Sequence, residues 1–116
     1  MGLCDWACIC TGHWARDFAY AISTTLTVEQ RRAWERELLA RYLERMRETS
    51  GLTTPIDVAF DQYRCQLFAA LLMWTPTLCH PPTMPDMQPP EMSREMIHRM
   101  TTAIDDLGAL DERVPA

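Results

Sequence analysis

The chain has no lysine: all 11 of its basic residues are arginine. That absence excludes, within these residues, every mechanism that turns on a lysine. Among them are the P-loop lysine that reaches nucleotide phosphates, the Schiff-base lysine and the phosphate-binding lysine of protein kinases. Long apolar runs are also missing. The longest, Leu67 to Trp74, has eight residues, too few to cross a bilayer as a helix. Met1 is followed by neither a basic stretch nor a long apolar one, so no secretory signal is expected. Glycine is scarce, at four. The charge balance is acidic, −5 overall with a pI near 5.1, which argues against nucleic acid as a partner, because phosphate binding needs basic charge. Five cysteines, an odd number, read as reduced thiols and point to the cytoplasm. At 116 residues there is room for one domain.

Four segments carry helical periodicity, behind a short strand candidate at Met1 to Trp6. A loop hinged at Gly12 leads to a first helix over about Ala15 to Ser23. The second helix opens on Thr27-x-x-Gln30, a capping box in which the hydroxyl and the amide side chain satisfy each other's backbone N–H groups. Trp34, Leu38, Tyr42 and Met46 recur every fourth residue along it, widened by Leu39 and Leu43, and its charges form a solvated face. Gly51 is its expected stop. Thr54-Pro55-Ile56-Asp57 opens a third helix with Thr54 as its cap. Phe60, Tyr63, Leu67, Leu71 and Trp74 are its main stripe, and its last eight residues are apolar on every side, so that end must be buried all round or dock against something. Residues 75–90 hold six of the eight prolines and are expected to be loop. A fourth helix follows, from Glu91 or Ser93 to Leu107, carrying a Met92, Met96, Met100 row. That row suits a core or an adaptable contact face. Gly108 ends it. The class is mainly α, far above the usual helix content.

One segment carries chemistry. Asp5-Trp6, then Gly12, then Asp17-Phe18-Ala19 place two aspartates twelve residues apart around a glycine-bearing loop. A carboxylate at a strand end suits a hard cation such as Mg²⁺, and equally suits a plain turn. This stretch resembles the segment after the catalytic loop of aminoglycoside phosphotransferase-like and choline or ecdysteroid kinase-like enzymes. There a strand delivers a metal-binding Asp followed by Trp, a glycine comes seven residues later, and an Asp-Leu-Ala or Asp-Phe-Ala helix start comes twelve later. His13 stands where those proteins usually have Pro, and Ala7 where they often have Gln or Glu. The later helices resemble their helical substrate lobe more loosely.

The resemblance implies a partial C-terminal lobe of the protein-kinase-like fold. Its parts would be a strand and metal-Asp loop over 1–14, helices over 15–74, a proline-rich loop over 75–90 and a C-terminal helix over 91–110. It implies Asp5 as a Mg²⁺ ligand in a full-length context, with ATP or another nucleotide as cofactor and a small-molecule hydroxyl as acceptor. Trp6, Gly12 and Asp17 would be structural. Trp34, Tyr63 and Trp74 would line an acceptor pocket, although at helical spacing they also suit a core. The catalytic His-x-Asp…Asn loop and the nucleotide lobe are expected upstream of residue 1, so the chain alone is expected to be inactive. The other expectation is a non-catalytic helical interaction module, dimerising through an open strand edge at residues 2–6 or binding a partner. Two weaker metal readings, Cys8-x-Cys10-x-x-His13 for zinc and Cys79-His80 with Met84 and Met87 for a soft metal, compete with ordinary core and loop roles.

Overall fold

The computed structural model describes residues 9–111, so the strand expected at Met1 to Trp6 lies outside the described residues. Within them are four helices: α1 (Trp14–Thr25), α2 (Val28–Ser50), α3 (Ile56–Leu78) and α4 (Pro90–Asp106). The class is mainly α, with no strand among the described residues. None of these helices is long and apolar enough to cross a membrane.

The helix ends follow local chemistry. α2 begins with the capping box in full: Gln30 N–H donates to Thr27 Oγ1 at 3.3 Å, and Thr27 N–H donates to Gln30 Oε1 at 3.0 Å. It ends at Gly51, whose φ of 73° is the left-handed conformation that glycine adopts without a Cβ penalty. α4 ends in a Schellman motif. Gly108 N–H donates to Asp105 O and Ala109 N–H to Ile104 O, both at 3.0 Å, with Gly108 at φ 56°. α1 begins one residue earlier than expected. The reason is His13, whose Nδ1 accepts the Ala15 N–H at 3.2 Å and serves as the cap.

α3 departs from expectation at both ends. Its cap position is Pro55 rather than Thr54 and makes no side-chain hydrogen bond. At the other end the helix does not stop at Trp74 but runs through Pro76 to Leu78, so the loop begins at Cys79 rather than at residue 75. Proline lacks the N–H that would bond to Leu72 O. The Thr75 hydroxyl donates to Leu71 O at 2.8 Å, and Thr77 Oγ1 donates to Trp74 O at 2.7 Å, so hydroxyls supply donors in that last turn. The loss is confined to one turn that faces water.

α3 is the axis of the bundle. α1 and α4 pack along it, and α2 crosses its N-terminal half. The core joins Phe18 and Ala19 of α1, Leu39 of α2, Ala59, Tyr63 and Leu67 of α3, and Ala103 and Ile104 of α4. Full burial of each large member contributes roughly 1.5–3 kcal/mol. The alanines at the crossings, Ala15, Ala19, Ala59, Ala70 and Ala103, are buried, and their short side chains let the helices approach closely. Around Phe18 the rings of Tyr42 and Tyr63 sit at 5.4 and 5.2 Å, the second edge-on.

The third helix's apolar end is not buried all round. Tyr63, Leu67 and Ala70 face inward, while Phe68, Leu72 and Met73 face outward and are exposed. In α4, Met100 is buried and Met92 is exposed, so the methionine row starts outside and ends in the core.

The two left-handed glycines provide a test of the caps. A Cβ on Gly108 would meet Asp111 Oδ2 at 2.8 Å, whereas one on Gly51 would meet nothing within 4 Å. Gly51→Ala should lower stability by about 1–2 kcal/mol, the penalty of the left-handed conformation alone. Gly108→Ala should lower it further, by whatever moving Asp111 adds. Thermal unfolding followed by circular dichroism measures both, and equal losses would contradict the crowding at Asp111.

Candidate functional site

The most unusual chemistry in the described residues is a charge cluster inside the bundle, where the charges of α2 were expected on its wet face. Arg31 is 2% exposed and Glu35 is 8% exposed. The physical reason lies in the helix angle. Residues 31, 35 and 39 share the face that α2 turns toward α3 and α4, and Leu39 is fully buried below them. Trp34, first in the expected apolar stripe, is carried off that face and is 46% exposed. Leu38, Tyr42 and Leu43 sit at the margin and pack against the core's edge.

The cluster joins three helices. Arg31 Nη1 donates to Glu35 Oε2 at 2.8 Å, and Arg31 Nη2 donates to Asp106 Oδ2 on α4. The Tyr63 hydroxyl on α3 donates to the same Glu35 oxygen at 3.1 Å. Arg32 grips Asp106 with two parallel bonds, Nε to Oδ2 at 2.7 Å and Nη2 to Oδ1 at 2.8 Å, the bidentate geometry that suits a guanidinium. Within the cluster, Arg31 Nε is buried without a hydrogen-bond partner among the described residues.

The electrostatics follow from this geometry. Burial opposes the Arg31 charge, but the hydrogen bond and charge of Glu35, helped by Asp106, outweigh it and raise the guanidinium further above its usual range. The Arg32 hydrogen bond, with Arg31 added and partial burial opposing, holds the Asp106 carboxyl below its usual range. Burial, then the nearby Glu35 charge, push the Tyr63 phenol well above its usual range. Arg31 therefore stays charged and the Tyr63 phenol neutral across ordinary pH, which suits a structural clamp.

The residues singled out from the sequence are dispersed. Asp5 and Trp6 lie outside the described residues. Gly12 is in the exposed loop before α1, and Asp17 is exposed in the first turn of α1. Of the three proposed pocket aromatics, Tyr63 is in the core, Trp34 faces solvent, and Trp74 is half-buried eleven residues further along α3, about 16 Å at helical rise. The Trp74 indole N–H is buried and unpaired among the described residues. A shallow hollow of about 190 Å³ lies between α2 and the start of α3, lined by Ala40, Leu43, Arg47, Leu52 and Ile56. None of the three aromatics reaches it, and it is smaller than the usual small-molecule site.

Among the described residues no three His, Cys, Asp or Glu side chains gather as a metal site. His13 and Cys10 of the zinc reading are engaged elsewhere, His13 as the α1 cap and Cys10 Sγ with Arg16 Nη1 at 3.6 Å; Cys8 lies outside the described residues. His80 of the soft-metal reading has both ring nitrogens at oxygen atoms, Pro81 O and Asp86 Oδ1, each at 3.2 Å.

A second feature is the bare side of α3. Phe68 and Leu72 are exposed on one face, with Cys65 half-buried beside them and Pro76 exposed beyond; Val58 is exposed on the same side, set apart from them by Asp61. No charged residue occurs from Cys65 to Leu78. Sequence reading found this apolar excess. It could not say which side would remain open, because that depends on where α1 and α4 pack. The Arg31–Glu35 spacing, i to i+4, was the one legible signal for the clamp, and it is shared by ordinary surface pairs such as Glu37–Arg41. No family model matches the chain, and comparisons with curated proteins and with solved structures found no significant match.

The clamp has a defined pH dependence. Asp106 is depressed in the folded state, so its contribution is present above the unfolded carboxylate value of about 3.9 and is lost as pH falls through the folded value. Tyr63 is raised, so its contribution is present below the unfolded phenol value of about 10 and is lost as pH rises beyond it. Urea unfolding at pH 3, 7 and 11 should show both limbs, with Asp106→Asn flattening the acid limb and Tyr63→Phe the alkaline one. Arg31→Ala should cost about 3–5 kcal/mol at pH 7 by stranding Glu35. An Arg31→Ala loss under 1 kcal/mol would contradict the clamp.

Proposed function

We propose that this chain is a helical interaction module, and that the surface it uses is the bare face of α3, paired with the same face of a second copy. What supports this reading is that a stripe of exposed apolar side chains runs along a helix whose other sides are packed. Contiguous exposed apolar surface marks contact sites more often than isolated apolar residues do. The uncharged stretch argues for self-pairing. An antiparallel twofold contact centred near residue 70 sets Phe68 of each copy against Leu72 of the other. It places Asp61 and Arg64 opposite residues 79 and 76, neither of them charged. A surface of this kind is complementary to itself without like-charge repulsion. This reading keeps the expected dimer but moves it from residues 2–6, which lie outside the described residues, to α3.

Sedimentation velocity over a rising concentration series should show dimer for the native chain. Leu72→Glu should weaken it at least tenfold, about 1.4 kcal/mol, with unchanged circular dichroism because Leu72 is largely solvent-exposed. A strictly monomeric native chain would remove the proposal, and a dimer indifferent to Leu72→Glu would move the interface elsewhere.

A second reading rests on the resemblance to small-molecule phosphotransferases. What favours it in the described residues is the local plan at α1: Gly12 in the preceding loop and an exposed Asp17 in the first helical turn. On this reading the chain is part of a longer enzyme, Asp5 is its Mg²⁺ ligand, ATP its phosphoryl donor and a hydroxyl compound its acceptor. Mg²⁺ there would neutralise charge developing on the transferred phosphoryl group. The 116-residue chain by itself would lack the positioning that such transfer depends on. Purified chain mixed with Mg²⁺ and ATP should release no phosphate above buffer. Phosphate release that Asp5→Ala abolishes would show instead that the isolated chain is catalytic.

A further inference from the structure

The connection between α3 and α4 carries four side chains with soft donor atoms in residues 79–87: Cys79, His80, Met84 and Met87. Two contacts fold this segment about the His80 ring. Met84 N–H donates to Pro81 O at 2.9 Å, closing a turn that returns Met84 to the residue next to His80. On the other side, His80 Nε2 lies 3.2 Å from Asp86 Oδ1, so the ring sits beside the residue that precedes Met87. The two methionines thus flank the histidine in space although they follow it in sequence. Both are exposed, so neither has a core role to explain it.

The ring is oriented as a ligand needs. Its Nδ1 is 3.2 Å from Pro81 O. A carbonyl oxygen only accepts, so Nδ1 carries the N–H of that contact, and the neutral ring keeps its lone pair on Nε2. A ring N–H held by a backbone carbonyl is the usual support of a metal-ligating histidine. Charge points the same way. Between Arg64 and Arg94 there is no arginine, and the charged residues there are Asp86 and Glu91, both acidic. No guanidinium of this segment competes with a bound cation. The donor set selects the kind of cation. Thioether and thiol sulfur suit soft ions, whereas Mg²⁺ and Ca²⁺ require oxygen. Among the described residues no three His, Cys, Asp or Glu side chains gather, and thioethers are a donor class outside that set.

We propose that the α3–α4 connection is a binding site for copper(I), held by His80 Nε2 and the thioether sulfurs of Met84 and Met87. In the native chain the exposed Cys79 thiol beside the ring adds a further soft donor. The three principal donors are neutral, and the exposed Asp86 carboxylate offsets the charge of the ion. Binding replaces the His80–Asp86 contact and draws the two methionines from water onto the ion. This site is separate from the bare face of α3 and does not depend on pairing of two copies.

The test is a titration with copper(I), supplied as its acetonitrile complex without oxygen, reading the methionine methyl groups and the His80 ring by NMR. Thiols elsewhere in the chain also bind copper(I), so two chains are compared. One is native. The other carries Cys4→Ser, Cys8→Ser, Cys10→Ser, Cys65→Ser and Cys79→Ser together, with its fold checked by circular dichroism. In the thiol-free chain one equivalent should shift the Met84 and Met87 methyls and the His80 ring together, while the methyls of Met46 on α2 and the buried Met100 hold still. In the native chain the same signals should shift once the other thiols are filled. Met84→Leu and Met87→Leu should each weaken binding at least tenfold, and Zn²⁺ should leave the methionine methyls in place. Met84 and Met87 methyls that stay in place under excess copper(I) in the native chain would overturn the site. Binding at His80 that survives both leucine substitutions would do the same, as would an equal methyl shift with Zn²⁺. If the serine chain fails to fold, the native chain and its two leucine variants decide the matter alone.

Discussion

Arg31 brings a permanent charge into the interior of a four-helix bundle, and the arrangement of α2 depends on how that charge is met. A guanidinium in low dielectric is tolerated only when its donors find acceptors. Two acceptors meet it, Glu35 from the next turn of α2 and Asp106 from the end of α4, and the Tyr63 hydroxyl on α3 donates to Glu35 and holds it in place. Apolar packing is non-directional and would accept α2 at several rotations. The clamp accepts fewer, because Arg31, Glu35 and Asp106 must meet within hydrogen-bonding distance. The cost of that choice is visible on the opposite margin, where Trp34 is turned into water.

The same economy governs the helix ends. Arg99 on α4 donates to Thr24 O at 2.9 Å, giving the C-terminus of α1 a basic partner it lacks in its own last turn. Arg36 lies 4.7 Å over the Phe60 ring and pairs with Asp57 at 3.2 Å, tying α2 to the first turns of α3. In a chain without lysine these tasks fall to arginine, whose planar donors can bridge two acceptors or cover a ring. The clamp, the inter-helix caps and the cation–π contact thus share one side-chain chemistry. α3 stands apart: its second half has no charge, so its position rests on packing against α1 and α4 and leaves one apolar side without a partner.

Where a property is local, it was legible in the sequence. The capping box at Thr27 and Gln30, the glycine stops at Gly51 and Gly108, and the inward stripe of Tyr63 and Leu67 involve residues within a few positions of each other. Two local readings failed for local reasons. Proline density suggested that α3 would end at Trp74, but a single proline in a final turn forfeits one bond, and neighbouring threonine hydroxyls supply donors there. Thr54 has the chemistry of a cap, yet Pro55 occupies that position. The candidate site was less legible. Asp5 and Trp6, which carry the phosphotransferase resemblance, lie outside the described residues, and Trp34, Tyr63 and Trp74 occupy three different environments.

The sequence by itself determined the helices, the α2 capping box, the glycine stops and the lack of lysine chemistry, because each depends on neighbours along the chain. Tertiary structure alone decided which face of each helix would be wet. Arg31 and Glu35 have the same spacing as the solvated pair Glu37 and Arg41. What separates them is an aspartate seventy-five residues away from Arg31 and a tyrosine twenty-eight away from Glu35. Leu67 and Leu72 are equally apolar, and only the placement of α1 and α4 buries the first and leaves the second in water. Burial is a property of the assembled surface, and periodicity within one helix does not contain it.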